Sequence, residues 1–524
     1  MSDKIFPLRI GRVSTFVVAV WIGVFLVLPV ATLIVADLGL HDVTRILGQL
    51  STWRLLWFSA WQAAVSVLVT GLISAPITWL IGRHHFRGRS ILRAVTTVGF
   101  LLPSVVVAAG IQAVLPSAMQ YSVPAMVVGH AYFNMAVMVR VVGSRAELFD
   151  DRIVGAASLL GASPQFVWRT VVWQSFRGSV ISASVVTFVF CFTSNAVVRL
   201  LGDPRRSTIE SDIARRAFGI GDVSGATVLA LLQLFTVAAI LGLASARWAG
   251  NDRASQGTSP NLPGIPSHHR MTAGAIIVGT TGFVVAPLMA LVWRSFHVGE
   301  TFSLEAWRSI FEPMLLSTIR GTFRIALTAG VVGMSLCVLA TLAIVQLPRF
   351  GRVVDALIML PIAVSPVTVG LGLIITFDTG WFDWRAGWWL TVIAHSVVAL
   401  PLAVRVLLPA WRTTPHGLHR AAANLGAGAW RRLVDVDLRR MKPAMTAACG
   451  LIVAVSLGEF GAASLLSRDG AETMPVAIAR LLSRTGDAFR AQAFALASLL
   501  VIVCLMVLVT VEIALMRGSR AARR

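Results

Sequence analysis

The chain has 524 residues, of which 56% are hydrophobic and 13% charged, and its mean hydropathy is +0.79. A composition this apolar excludes an ordinary soluble domain and predicts an all-α polytopic membrane protein. The net charge of +21 does not indicate a nucleic-acid partner, because the basic residues form short clusters between apolar runs.

Twelve apolar runs are long enough to cross a bilayer, which takes about 20 helical residues. The first follows Lys4, Arg9 and Arg12 and is interpreted as a retained membrane helix rather than a cleaved signal. Basic residues concentrate in alternate loops and in the tail, which predicts a cytoplasmic-membrane protein with both termini in the cytoplasm. The runs are 13–36, 55–82, 94–115, 123–142, 178–198, 226–246, 271–293, 319–346, 354–377, 388–408, 443–466 and 491–516.

A polar stretch at 250–270, rich in Gly, Pro, Ser and Asn, interrupts the apolar runs after the sixth. Such a composition cannot bury enough apolar surface to fold alone and predicts a linker. The chain is therefore divided into a first transmembrane domain, 1–249, and a second, 271–524. The four cysteines lie inside apolar runs without metal-ligand spacing, so no metal site is expected.

The two halves are related by an offset of 265 residues. This shift pairs AASLLGA, starting at Ala156, with AAANLGA, starting at Ala421, and five of the seven positions are identical. The same shift pairs His130 with His395 without a gap. Because six spans separate equivalent points, the sequence predicts two parallel six-helix repeats with both copies of this segment on the cytoplasmic side.

In both copies an alanine-rich stretch leads into Leu-Gly-Ala. Alanine favours helix, and glycine at Gly161 or Gly426 can adopt the left-handed conformation that ends one. The small side chains of such a corner allow another protein to approach closely. Two copies in cytoplasmic loops favour docking points for a partner over simple turns.

These segments resemble the EAA loop of binding-protein-dependent ABC importer permeases, in which this loop forms the coupling helix that docks on the ATP-hydrolysing subunit. The glutamate that begins the family's pattern is replaced by Gly155 and by Arg420, so the resemblance does not extend to a salt bridge made by that acid. The coupling residues implied by the resemblance are Ala156, Ala157, Gly161, Ala421, Ala422 and Gly426.

Three further segments are similar to the fused permeases of thiamine and ferric-iron importers: HAYFNMAVMVRV from His130, FCFTSNAVVRLLGDPRRSTIESDIARRA from Phe190 and SLGEFGAASLL from Ser456. The CFTS and TIE segments favour thiamine, with ferric iron next. The resemblance implies the type I importer permease fold, two copies of an ABC ATP-binding subunit that binds the ATP, and an extracytoplasmic solute-binding protein. Membrane lipid is also an expected partner, and nucleic acid is not.

The chain lacks a phosphate-binding loop of its own, because its lysines, Lys4 and Lys442, do not follow a glycine-rich turn. No cofactor and no catalytic residue is therefore expected in the chain. The alternative function is an ion-coupled secondary transporter, which would need ionisable pairs deep in the bundle. A membrane-embedded enzyme would need a cluster of catalytic carboxylates or histidines, and the sequence does not suggest one.

Charged groups inside a span are costly, so they are candidates for function. Glu459 is expected midway along the eleventh span, facing a cavity. The alternatives are an acid near the outer interface or one paired with Arg468. The repeat places Ser194 opposite it, and Ser194, Asn195 and Glu459 are predicted to line a substrate pathway between the halves. His130, Asn134 and His395 are weaker candidates and are interpreted as packing residues. Pro103 and Pro361 are predicted to kink the third and ninth spans.

Overall fold

The structure is a computed structural model that describes residues 8–35, 39–248, 262–346, 348–377, 387–412, 416–467 and 472–523. Most of the predicted linker, 250–261, lies outside the described residues, as does Arg468. The helices that precede the linker are Leu8–Ile22 (α1), Leu28–Val35 (α2), Leu40–Leu47 (α3), Leu50–Arg83 (α4), Arg89–Leu101 (α5), Ser104–Val114 (α6), Val123–Glu147 (α7), Asp151–Leu159 (α8), Pro164–Val167 (α9), Trp173–Phe192 (α10), Ala196–Leu201 (α11), Ile209–Ala214 (α12) and Val223–Trp248 (α13).

A short β-hairpin lies between two of the helices that follow the linker. Its strands are His297–Val298 (β1) and Thr301–Phe302 (β2). Short π-helical turns occupy Gly23–Val27, Trp168–Val172, Arg215–Gly219 and Arg432–Leu438. The helices are Arg270–Arg294 (α14), Glu305–Ser309 (α15), Pro313–Gln346 (α16), Pro348–Ala363 (α17), Pro366–Phe377 (α18), Trp389–Arg412 (α19), His416–Asn424 (α20), Ala429–Arg431 (α21), Arg439–Gly458 (α22), Ala463–Leu466 (α23), Met474–Leu482 (α24) and Asp487–Arg523 (α25).

The predicted fold class is confirmed. Among the described residues, ten helices are long and apolar enough to cross a membrane, and two bent helix pairs raise the number to as many as twelve. Each of these helices or pairs falls on one of the twelve predicted runs. The bent pairs lie at the third and ninth runs. In the third, α5 and α6 meet at 104°, and in the ninth, Gly351–Ile362 meets Pro366–Phe377 at 101°.

Proline has different roles in the two bends. Pro103 stands at the break itself, directly before the first residue of α6. Pro361 lies inside α17, whereas the break falls at 364–365, immediately before Pro366. The prediction that Pro361 kinks the ninth span is therefore wrong. Pro366 suits the first helical position, because the amide hydrogen it lacks would be unsatisfied there in any case, and the Ser365 hydroxyl accepts the Thr368 amide hydrogen at 3.1 Å.

The described chain forms two compact units. Unit 1 comprises Met1–Thr44, Ile213–Leu231 and Val298–Arg524, and unit 2 comprises Arg45–Asp212 and Leu232–His297. In unit 2, α4 packs against α7 and α10; in unit 1, α16 packs against α19 and α22. Each unit has the same kind of hydrogen bond from a hydroxyl of its long helix. In unit 2 the Ser59 hydroxyl accepts the Ile209 amide hydrogen at 2.9 Å, and in unit 1 the Thr322 hydroxyl accepts that of Met474 at 2.8 Å.

Unit 1 is built mainly from the second half of the sequence and unit 2 mainly from the first, but each also includes a helix from the opposite half. In unit 1, α2 packs on α18, and a β-carbon added to Gly372 would lie 2.8 Å from the carbonyl oxygen of Pro29. In unit 2, α14 packs on α6, and a β-carbon on Gly110 would lie 3.0 Å from that of Pro287. Such close backbone approach requires glycine. The units and the sequence halves are thus different partitions, and the domain division at 250–270 stays a prediction.

Candidate functional site

The first candidate element is the helical corner at residues 151–162, called the first corner below. Asp150 begins α8 by accepting the Arg152 amide hydrogen at 2.9 Å. The helix ends where the Gly161 amide hydrogen bonds the Ser158 carbonyl at 3.0 Å and that of Ala162 bonds the Ala157 carbonyl at 3.1 Å. Gly161 has φ +81°. This is a Schellman motif, which requires the left-handed conformation that glycine adopts without strain.

The second corner, residues 416–427, ends in the same way. Gly426, with φ +78°, donates to the Ala423 carbonyl at 2.9 Å, and Ala427 donates to the Ala422 carbonyl at 2.9 Å. Every donor and acceptor lies 265 residues after its counterpart in the first corner. The repeat in sequence is therefore a repeat of backbone geometry, and both predicted coupling glycines occupy the position that ends the helix.

Both corners expose leucine side chains at the helix end. Leu159 and Leu160 are 90% and 88% exposed in the first corner, and Leu425 is 89% exposed in the second. No residue of α8 is buried. The coupling alanines line the same exposed stretch, since Ala156 and Ala421 are exposed. Leucines this exposed beside small residues form an apolar surface suited to a protein partner.

A π-helical turn follows each corner, where the next membrane helix begins. The turn before α10 is Trp168–Val172, and the turn before α22 is Arg432–Leu438. At the 265-residue offset, residues 168–172 correspond to residues 433–437, which lie within the second turn. Such turns are rare and are frequently found at functional sites. The matching pair indicates that each corner joins its span through the same irregular segment.

The two corners are anchored to these turns by different chemistry. In the first, Val154 and Val172 pack with an apolar cluster that includes Phe149 and Phe176. At the equivalent positions of the second corner, 265 residues later, stand His419 and Asp437. Their Nε2 and Oδ1 atoms lie 3.2 Å apart, and both side chains are buried. The second corner therefore has a buried polar pair where the first has two valines.

The acid at the start of the family's pattern is absent from both corners, but the first has a nearby carboxylate. Asp151, at the start of α8, forms an ion pair with Arg83 of α4, and Arg83 also donates to the Phe149 carbonyl at 2.9 Å. In the second corner the residue at the matching offset is His416. Among the described residues, only the first corner thus begins with a carboxylate bound to a neighbouring span.

The predicted pathway residues lie at two equivalent breaks that follow α10 in unit 2 and α22 in unit 1. In unit 2, Ser194 is half-buried and Asn195 immediately precedes α11. Asn195 is 6% exposed, and its side-chain oxygen and nitrogen have no hydrogen-bond partner in the part of the chain that the structure describes. Buried amide groups of this kind are normally paired.

Glu459 occupies the equivalent break in unit 1. The expectation that it lies midway along the eleventh span is wrong, because α22 ends at Gly458 and the chain resumes a helix at α23. The Glu459 carboxylate accepts the amide hydrogens of Ala462 and Ala463, each at 3.0 Å, and its Oε2 lies 3.2 Å from His395 Nε2. The carboxylate is thus held by the start of α23 and by a buried histidine.

The remaining candidates are buried within their units. His130 Nδ1 lies 3.1 Å from the Ser66 hydroxyl, and Asn134 donates to the His130 carbonyl at 3.0 Å. His395 Nδ1 lies 2.7 Å from the Ser456 hydroxyl. These contacts agree with their interpretation as packing residues, except that His395 also orients Glu459.

Sequence reasoning overlooked His419 and Asp437. The signal was available, because the 265-residue offset aligns this pair with Val154 and Val172, and a polar pair replacing two valines marks a position of changed chemistry. Differences between the copies of a repeat are as informative as their similarities.

Residues 329–517, which include the second corner and Glu459, match the family described as binding-protein-dependent transport system inner membrane component. The chain is 26% identical over 472 residues to the thiamine transport system permease protein ThiP of Brucella abortus (strain 2308), covering 86% of each chain. It is 24% identical over 493 residues to the protein of the same name from Escherichia coli (strain K12), covering 88% of each.

A shorter match concerns the putative 2-aminoethylphosphonate transport system permease protein PhnV of Salmonella typhimurium (strain LT2). The two are 31% identical over 153 residues, which covers 29% of this chain and 57% of that protein. Similarity that extends over both halves is thus found with the thiamine permeases, whereas this relative matches a single stretch.

Proposed function

We propose that the chain is a multi-pass permease subunit of a binding-protein-dependent ABC importer and that its cargo is thiamine. The observation that carries the proposal is similarity to thiamine permeases over 86% of both chains. A match of this extent includes residues of both halves of the chain. Ferric iron, the second expectation, is named for none of the relatives described above.

The motor of the proposed importer is a separate ATP-binding subunit, present in two copies, one on each corner. The exposed leucines and identical Schellman endings of the two corners support this assignment, because equivalent subunits require equivalent docking geometry. Closure of the ATP-binding subunits would displace each corner, and the π-helical turn that follows would carry the displacement into α10 or α22.

The cargo arrives from an extracytoplasmic solute-binding protein and passes the breaks that follow α10 and α22. Ser194, Asn195 and Glu459 are the residues of these breaks proposed to act on it. The unpaired amide of Asn195 supports a hydrogen bond to cargo, whereas the Glu459 carboxylate is already engaged and supports a role in holding its break. Both termini are proposed to lie in the cytoplasm, so that the corners face the ATP-binding subunits.

Uptake of radiolabelled thiamine tests the cargo. Cells that cannot make or import thiamine would express the chain with its ATP-binding subunit and its binding protein. We expect uptake that unlabelled thiamine abolishes and that ferric iron leaves unchanged. Inhibition by ferric iron, or no thiamine uptake by an assembled complex, would contradict the cargo.

The same cells test the energy source. Omitting the ATP-binding subunit should abolish uptake, because the permease has no other motor in this scheme. Uptake that persists without that subunit and collapses with a protonophore would instead identify an ion-coupled carrier.

A further inference from the structure

One end of α16 has two exposed arginines, Arg320 and Arg324, one helical turn apart. The 21 residues that follow, 325–345, contain no charged side chain. That is about the length needed to cross the hydrocarbon core. Both guanidinium groups therefore lie at the boundary between hydrocarbon and water, at the depth of lipid headgroups.

The two arginines line a groove of about 470 Å³. Its other lining residues include Ser317, Phe311 and Leu316. The Arg324 guanidinium carbon is 4.6 Å from the centre of the Trp388 ring. A cation–π contact of this length holds the guanidinium in place while leaving its N–H groups available.

No carboxylate neutralises this charge in the part of the chain that the structure describes. Neither Arg320 nor Arg324 forms an ion pair there. Arginine near the end of a membrane helix extends to the interface, where the phosphate of a lipid headgroup is the nearest anion. The groove thus presents two positive charges at headgroup depth, beside an uncharged membrane-spanning stretch.

The first half shows what an ordinary span has at these positions. α4 and α16 both have 34 residues, and their shared contacts through Ser59 and Thr322 fix the register. In this register, which has an offset of 263 residues rather than 265, the exposed Trp57 and Trp61 stand where the second half has Arg320 and Arg324. Tryptophan is the usual residue of the membrane interface. The substitution of both by arginine is specific to the second half.

We propose that this groove binds a phospholipid through its phosphate group. The forked guanidinium groups match two oxygens of a phosphodiester, and the acyl chains run along the uncharged residues 325–345. Leu327 and Val331 are 60% and 68% exposed in that stretch, and a bare phosphate would leave them uncovered. The site is independent of the cargo and of the ATP-binding subunits.

Native mass spectrometry of the full chain, delipidated in detergent and titrated with phosphatidylglycerol, tests the site. The double variant R320Q/R324Q should weaken the tightest lipid-binding event about tenfold or more, because it removes the charged, bidentate contacts. The matched control is R54Q, which removes an exposed arginine from the corresponding end of α4 and should leave this event unchanged. Equal binding by R320Q/R324Q and the unmodified chain would overturn the proposal.

Two further measurements keep the test decisive. Glycerol 3-phosphate added at the lipid concentration should not displace the lipid; displacement would show a site for free phosphate esters and would overturn the lipid assignment. Should the glutamine variant fail to assemble, R320K/R324K retains both charges but loses the planar fork. It should bind lipid more weakly than the unmodified chain, and equal binding would contradict the proposal.

Discussion

Asn195 stands out among the candidate residues because its side-chain amide makes no hydrogen bond within its own unit. Its side chain is buried, and neither of its polar atoms has a partner among the described residues. Glu459, at the equivalent break, has three partners, the amides of Ala462 and Ala463 and the ring of His395. The two breaks thus differ: one is held together by a carboxylate, and the other leaves an amide available.

Replacing Asn195 by leucine tests whether that amide contacts cargo. We expect the KM for thiamine uptake to rise about tenfold, the effect of losing one hydrogen bond of about 1.4 kcal/mol. The amount of permease in the membrane should not fall, because an apolar group of similar shape replaces a buried amide that lacks a partner. Uptake kinetics and immunoblotting measure the two quantities.

The control is Thr187→Val, which also removes a buried polar atom without a partner, but inside α10 and away from the break. It should leave the KM unchanged. An unaltered KM in Asn195→Leu, or an equal change in both variants, would contradict a contact between Asn195 and cargo.

The corners illustrate how far a repeated element can be predicted. The ending at Gly161 and Gly426 was predictable, because glycine after a helix-forming stretch is a local signal. The π-helical turns were not, since an extra residue in a helical turn leaves no pattern in composition. The repeat marks His419 and Asp437 as positions of changed chemistry, but their contact depends on the angle between α20 and the following turn, which is set by packing rather than by sequence spacing.

The His419–Asp437 pair predicts a non-additive effect on stability. Removing one partner alone, by His419→Val or Asp437→Val, should destabilise the chain by about 3–5 kcal/mol, because it leaves a buried polar or charged group uncompensated. Changing both to valine reproduces the chemistry of Val154 and Val172 in the first corner. The double variant should lie within about 1 kcal/mol of the unmodified chain, since apolar replacement of a buried pair is often neutral.

Thermal unfolding of the purified variants, followed by tryptophan fluorescence, gives the ranking. The expected order of Tm is unmodified and double variant together, with both single variants below. If the double variant instead shows the sum of the two single effects, the residues do not act as a pair.

At the scale of the whole molecule, hydropathy alone predicts the spans well. All twelve runs have a helix or a bent pair because a bilayer demands that backbone groups be satisfied within each segment. The bends near 100° were predicted only as proline kinks, since the break before Pro366 depends on the Ser365 cap as well as on proline. The packing of α2 on α18 and of α14 on α6 was not predictable, because a repeat reports similarity and not contact.

The central claim is that the two corners are docking points for ATP-binding subunits. Its most direct test is site-specific photo-crosslinking in membranes that contain the chain and its ATP-binding subunit, with the crosslinking amino acid at Leu160 or at Leu425. Phe302, 69% exposed in β2 and on the opposite side of the membrane by span count, provides the control. We predict crosslinks to the ATP-binding subunit from Leu160 and from Leu425, and none from Phe302. Failure of both leucine positions to crosslink, or equal crosslinking from Phe302, would contradict the account.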